Sequence, residues 1–316
     1  MRAMKEKKGL FNFLKTCVEQ WLAEGPFQLA AALAYYTLFS LSPLLIIMTG
    51  IVGSLAGHET AQNYIYNSVS GLVGEQSAKA AIEIMQKANR ENGGVLATVI
   101  GVTLLLFGAG GVVGQLQSSL NTIWGVVTKT HIGIWPIVRA RFISYAMLLA
   151  IGFLLLVSLI VTTAVSALSD YLKSILPAVG SIWPVVDIAI SFGFVTILFA
   201  LIYKFLPDVE IAWRDVWVGA ALTALFFSIG KLMIGLYLSK GTATAVYGAA
   251  GSLVTILLWV YYSSLIFFFG AEVTRVYATQ YGRGLKPTEI AAPTRDGIKK
   301  EKAIEKANPE AEKRQG

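Results

Sequence analysis

Long stretches without a charged residue fix the class of this chain. Gly25–Gly57, Gly93–Thr128 and Phe142–Ser169 hold no Lys, Arg, Asp or Glu; Ser174–Tyr203, Val216–Ser239 and Gly241–Ala271 are broken only by Asp187 and Lys231. Each is long enough to cross a hydrocarbon core, which needs roughly 20 residues at about 1.5 Å rise. In lipid every backbone N–H and C=O needs an internal partner, and the runs lack the two-residue alternation of a barrel. The expected fold is therefore all-α: a polytopic bundle of about six transmembrane helices, near 29–53, 95–120, 142–166, 185–205, 216–238 and 247–273. Composition agrees, because 55% apolar and 14% charged residues leave a soluble domain too little polar surface to cover itself. The first window is longer than the apolar core of a secretion signal and lacks a small-residue cleavage site, so it reads as a span.

Lys and Arg set the orientation. With the N-terminus inside, the inner side receives Arg2, Lys5, Lys7, Lys8 and Lys15, then Lys129, Arg139 and Arg141, then Lys204 and Arg214, then Arg275, Arg283, Lys286 and the tail. The outer side receives Lys79, Lys87, Arg90, Lys173 and Lys240. Both termini are expected in the cytoplasm.

Outside the spans, residues 1–25 read as a cytoplasmic N-terminus with an interfacial helix. Leu10, Phe13, Leu14, Cys17, Val18, Trp21 and Leu22 fall at helical spacing on one face, beside Lys7, Lys8 and Lys15, so the helix is expected to lie flat on the inner leaflet. The outer loop 54–94 carries an apolar stripe of Ala78, Ala81, Ile82 and Met85 opposite Lys79, Glu83 and Lys87, which suggests a short amphipathic helix. From 278 to 316 the chain turns polar and mixed in charge, with Pro287, Pro293 and Pro309, and a disordered cytoplasmic tail is expected. A headgroup-binding or partner-binding tail is the other reading.

The residues offer little to an enzyme. The only histidines, His58 and His131, fall on opposite sides of the membrane in this topology, and the single cysteine, Cys17, makes neither a disulfide framework nor a metal cluster. No HExxH, Walker A or GxSxG motif occurs. Neither a cofactor nor a metal is expected. Gly108-Ala109-Gly110-Gly111 lies inside an apolar span, and Gly110, Gly114 and Ser118 share a face in the small-xxx-small arrangement that lets helices approach closely.

Polar residues at membrane depth remain as candidates for a substrate path. In the first span these are Tyr36, Ser40, Ser42 and Pro43, where the proline removes a backbone hydrogen bond and kinks the helix. The hydroxyls either line a polar cavity or satisfy the kink. In the second span Gln115, Gln117, Ser118, Ser119 and Asn121 form a polar band before Trp124. Lys231 lies about 22 Å along its helix from Val216, with Asp187 as its plausible partner; it either snorkels to the outer interface or faces a cavity. Glu272 and Arg275, three residues apart near the inner end of the sixth span, can pair locally.

Three strings together resemble a known family. They are Ala31-Ala32-Leu33-Ala34-Tyr35-Tyr36-Thr37-Leu38-Phe39-Ser40-Leu41-Ser42-Pro43; Leu206-Pro207-Asp208 with Trp213-Arg214-Asp215-Val216-Trp217-Val218-Gly219; and Tyr247-Gly248-Ala249-Ala250-Gly251-Ser252 through Trp259-Val260-Tyr261-Tyr262 to Gly270-Ala271-Glu272. In this order and spacing they resemble the YihY/BrkB family of bacterial inner-membrane proteins, over roughly Trp21 to Tyr277. The resemblance implies a six-span inner-membrane protein, a former label of ribonuclease BN that the residues do not support, and links to serum resistance and lipid A export. The expected function is transport or flipping of a lipid-like or envelope-related amphiphile. The alternative is a non-transporting envelope-organising or binding protein whose polar residues only join helices. Membrane lipids, and further copies of the chain in a homo-oligomer, are the expected partners; nucleic acid is not, since no metal site or basic groove can be built.

Overall fold

The computed structural model describes residues 2–40, 110–129, 183–239, 251–282 and 284–306, with isolated positions between 59 and 82 and at 135. Helices α1 (Arg2–Ala23), α2 (Trp183–Phe205), α3 (Trp213–Ser239), α4 (Gly251–Gln280) and α5 (Arg295–Lys306) alternate with short strands β1 (Val126–Thr128), β2 (Val209–Glu210), β3 (Lys286–Pro287) and β4 (Ala291–Pro293). Residues 26–40 and 110–123 are also helical and overlap the first two expected spans. Among the described residues three stretches are long and apolar enough to cross a membrane: Ile188–Phe205, Trp213–Met233 and Leu253–Gln280. They match the last three expected spans. The third expected span, 142–166, lies outside the described residues.

The chain divides into two compact units, one of Met1–Glu24, Gln117–Phe226 and Phe268–Gly316, the other of Gly25–Leu116 and Phe227–Phe267. In the second, a Cβ at Gly111 would lie 2.8 Å from Cδ1 of Tyr36. This close approach is at Gly111, beside the expected Gly110–Gly114–Ser118 line, of which Ser118 is exposed. Within the expected outer loop 54–94, Ala78 is buried and Lys79 exposed; Ala81, Glu83, Met85 and Lys87 lie outside the described residues.

In the first unit α4 runs on past residue 273, because its end is not released into water. Val273 and Val276 are fully buried with Cys17 of α1 and Ile304 of α5, and Phe13, Leu222 and Phe269 pack around them. Burial pushes the Cys17 thiol up to about 12, and the Glu272 carboxylate adds to the shift, so the thiol is inert in the folded protein.

The expected disorder of the tail does not hold for residues 284–306. β4 pairs antiparallel with β1, placing Thr128 opposite Ala291, and β3 pairs antiparallel with β2, placing Val209 opposite Pro287. Both prolines end their strands, where a missing N–H is tolerated. The tail alone is too polar to fold, but the loops after the helix at 110–123 and after α2 supply partners for its backbone, and Ile304 enters an existing core. Gly125 (φ +66°) makes the turn into β1 possible and lets the backbone of Gly297 approach so closely that a Cβ at Gly125 would sit 2.5 Å from its Cα.

α3 and α4 meet in a reciprocal small-residue seam. A Cβ at Gly219 would strike the Thr274 hydroxyl, and one at Gly270 would strike that of Thr223. Each threonine donates to the carbonyl of the glycine one turn earlier on its own helix, Thr223 to Gly219 at 2.6 Å and Thr274 to Gly270 at 2.8 Å. Neither hydroxyl is left without an acceptor in an apolar contact, and Thr223 also meets Tyr203 Oη at 3.0 Å. Gly270→Ala should therefore overpack the seam, at about 1–3 kcal/mol, and lower the melting midpoint of the detergent-solubilised protein.

Candidate functional site

Two polar clusters sit in the first unit. In the first, Asp208, in the turn between α2 and β2, accepts hydrogen bonds from Gln117 Nε2 (3.1 Å), Asn121 Nδ2 (2.8 Å) and Thr128 Oγ1 (3.1 Å). Asn121 answers by accepting the Asp208 backbone N–H at 2.9 Å. The Asp208 carbonyl accepts both the N–H (3.0 Å) and the hydroxyl (3.1 Å) of Thr288 from the C-terminal segment. One buried residue thus joins a helix end and a strand through its carboxylate, and the tail through its main-chain carbonyl.

In the second, Glu24 at the end of α1 receives Lys300 of α5 at 2.7 Å and Arg275 of α4 at 3.1 Å. The Glu24 and Arg275 side chains are 4% and 2% exposed, so solvent screens this pair little. Arg275 also donates to the Ile123 carbonyl at 2.5 Å, a cation at the end of the helix at 110–123 where the backbone dipole favours one. Glu272, one turn before Arg275 on α4, is fully buried; both its carboxylate oxygens lack a hydrogen bond among the described residues, and Arg275 is 3.8 Å away. Arg275 is thus claimed by two carboxylates and one carbonyl.

The nominated residues are distributed as follows. Asn121 enters the Asp208 hub; Glu272 and Arg275 meet as expected from their spacing and are extended by Glu24 and Lys300, which the sequence reading missed. Ser119 is fully buried. Ser40 is buried and donates to the Thr37 carbonyl at 2.9 Å, and Tyr36 is part-exposed on the same helix. Gln115 is half-buried and Lys231 exposed. Asp187 lies in α2, but its side chain, like Ser42 and Pro43, is outside the described residues, as is any pairing of Asp187 with Lys231. A cavity of about 120 Å³ beside Trp124, Arg275, Pro287 and Glu301 has room for a few waters, not a lipid chain. Among the described residues, no three His, Cys, Asp or Glu side chains gather as metal ligands.

Residues 18–294 match the family described as Virulence factor BrkB. The chain belongs to this family. Among BrkB relatives, it is 27% identical to a UPF0761 membrane protein of Psychrobacter sp. (strain PRwf-1) over 84% of this chain and 48% of the relative. It is 30% identical to a UPF0761 membrane protein of Pseudomonas aeruginosa (strain LESB58) over 77% and 57% of the two chains, and 26% identical to one of Mannheimia succiniciproducens over 79% and 83%. The chain thus spans about half the length of the first two. No solved structure matches. The relatives' names place the BrkB chain among membrane proteins and state no reaction.

Chemically, neither cluster offers a nucleophile with a base, or a reacting centre. They can hold helix ends, strands and the C-terminal segment together, and the second can exchange the partners of Arg275.

Proposed function

We propose that this BrkB-family protein is a membrane transporter or flippase of a lipid-like or envelope-related amphiphile. It sits in a bacterial inner membrane with both termini in the cytoplasm, as the Lys/Arg bias of the loops supports. The observation that carries the reading is Glu272, a carboxylate in a membrane-crossing helix, fully buried, with no hydrogen bond among the described residues and a shared cation at 3.8 Å. An ionisable residue within a membrane-crossing helix is expensive and by default points to a functional site, here at the inner end of the span. Arg275 has two alternative carboxylate partners, which supports a two-state element of the kind alternating access needs. In this reading the path residues are those nominated from the sequence: Tyr36, Ser40, Ser42 and Pro43 of the first expected span, Gln115, Ser119 and Asn121 of the second, and Asp187 and Lys231. Glu272 and Arg275 govern its inner end.

The scaffold alternative has its own support. Ser40, Thr196, Thr255 and Ser264 each donate to a carbonyl of their own helix, as polar residues that only complete helix packing would. A flipping assay separates the two. Purified protein is reconstituted into liposomes with headgroup-labelled lipids, and an impermeant quencher reports label reaching the outer leaflet. Accessibility is expected to rise above that of protein-free vesicles, and Lys231→Ala, whose exposed side chain makes misfolding no concern, should remove most of the rise. No rise with any anionic or neutral lipid would sink lipid flipping and favour the scaffold.

A further inference from the structure

The apolar residues of α1 do not form one face. At about 100° per residue, Phe13, Cys17 and Glu24 share one sector of the helix; it turns inward, with Cys17 fully buried and Glu24 bound by Arg275 and Lys300. Phe11, Leu14, Val18 and Leu22 fall in a second sector, centred roughly 120° from the first, and are 68%, 39%, 42% and 50% exposed. The third sector, another roughly 120° on, holds the exposed Asn12, Glu19 and Ala23. Three such sectors suit a helix with protein on one side, water on another and an apolar medium on the third.

Charge identifies that medium. Lys15, with its side chain 61% exposed and its ammonium 3.7 Å from Glu19, lies between the apolar and watery sectors, where a lysine stem can run along hydrocarbon and its ammonium can exchange this exposed, weak pair for a headgroup. By position in the helix Lys8 falls at the same border. Over Arg2–Ala23 the sequence sets Arg2, Lys5, Lys7, Lys8 and Lys15 against Glu6 and Glu19. Trp213 and Trp217, at the start of α3 in the same unit, are each 43% exposed, as aromatic residues of a membrane interface are. We propose that the Phe11–Leu14–Val18–Leu22 stripe is a docking surface for an anionic bilayer, with the basic residues of α1 reading the headgroup charge. α1 then joins two layers: its inner side holds α4 and α5, and its outer stripe lies in the leaflet. The inference does not depend on whether the protein transports anything.

The 316-residue chain bearing Phe11→Cys, Leu14→Cys, Val18→Cys or Leu22→Cys is spin-labelled and reconstituted into phosphatidylcholine vesicles with or without phosphatidylglycerol; Asn12→Cys and Glu19→Cys serve as references. Cys17 stays in place, because its burial shields it from the label, and its silence in each variant reports that α1 has remained on the protein. At the four stripe sites oxygen should relax the label more than a water-soluble nickel chelate, with the reverse at the two references. Phosphatidylglycerol should raise the oxygen-to-nickel ratio at the stripe, and Lys7→Gln, Lys8→Gln and Lys15→Gln combined should abolish that rise. Nickel dominating at the stripe would overturn the proposal, as would a stripe closed to both reagents, the signature of a second protein copy. An oxygen-to-nickel ratio equal in the two lipid mixtures would overturn the reading of headgroup charge.

Discussion

Arg275→Met is expected to strip most folded protein from the membrane, while Glu272→Gln on the same helix should be nearly silent. Arg275 is a buried cation holding Glu24 at 3.1 Å and the Ile123 carbonyl at 2.5 Å. Removing one partner of a buried pair costs about 3–5 kcal/mol because the other charge is stranded, a large share of the roughly 5–15 kcal/mol that holds a domain folded. Glu24 keeps Lys300 at 2.7 Å, so the group most stranded is Glu272, which loses the cation 3.8 Å away. Glu272→Gln surrenders no hydrogen bond among the described residues. Added to Arg275→Met, it should restore part of the lost protein. Membrane abundance and alkylation of Cys17 report the outcome: α1 loosened from Val273 and Val276 exposes a thiol that is otherwise buried. Normal abundance with a protected Cys17 in Arg275→Met would refute the buried pair. Equal damage from Glu272→Gln alone would mean that its carboxylate makes a contact of its own.

Why Glu272 and Arg275 were legible and Glu24 and Lys300 were not is a matter of range. Neighbours three residues apart on a helix are fixed by its geometry, so their pairing could be read from spacing. Glu24 and Lys300 are separated by nearly the whole chain, and both looked like ordinary solvated charges. The helices from Trp183 to Gln280 were legible for a stronger reason: lipid forces long apolar stretches into helices whatever their partners. The tail shows the opposite case. Its composition is that of a disordered segment, and only strands β1 and β2 and the Cys17 core, supplied from elsewhere in the chain, give residues 284–306 their order. The periodicity of α1 suggests a single apolar face; the structure splits it in two, because Phe13 and Cys17 turn toward α4 and α5 while Leu14, Val18 and Leu22 stay exposed. The band at Gln117 and Asn121 drew attention as amides in a span, but its acceptor, Asp208, lay unremarked in the Leu206-Pro207-Asp208 motif.

Asp208→Ala should accordingly be among the most damaging single substitutions outside the spans, with a loss of about 3 kcal/mol or more. Hydrogen bonds to a charged group contribute about 1.5–3 kcal/mol each, though not additively. Here Gln117, Asn121 and Thr128 all donate to one carboxylate that is 6% exposed. Alanine leaves Asn121, the buried donor of the three, unsatisfied, while half-buried Gln117 and exposed Thr128 can turn to water; a buried donor without a partner is costly in itself. Asp208→Asn is the finer test, because it keeps the shape. One acceptor oxygen becomes an NH₂ that must face either Gln117 Nε2 or the pair Asn121 Nδ2 and Thr128 Oγ1, donor against donor. The first orientation does less harm, because Gln117 is only half-buried and can turn to water, so Asp208→Asn should fall between wild type and Asp208→Ala. Thr128→Val removes one hydroxyl donor of the three and should cost about 1 kcal/mol. Melting midpoints of the detergent-solubilised variants should rank wild type, Thr128→Val, Asp208→Asn, Asp208→Ala from high to low. If Asp208→Ala melts with wild type, the three donors have other acceptors and the carboxylate is not what joins the helix end to β1 and the α2–β2 turn. If Asp208→Asn matches Asp208→Ala, shape contributes nothing and the negative charge carries the whole effect.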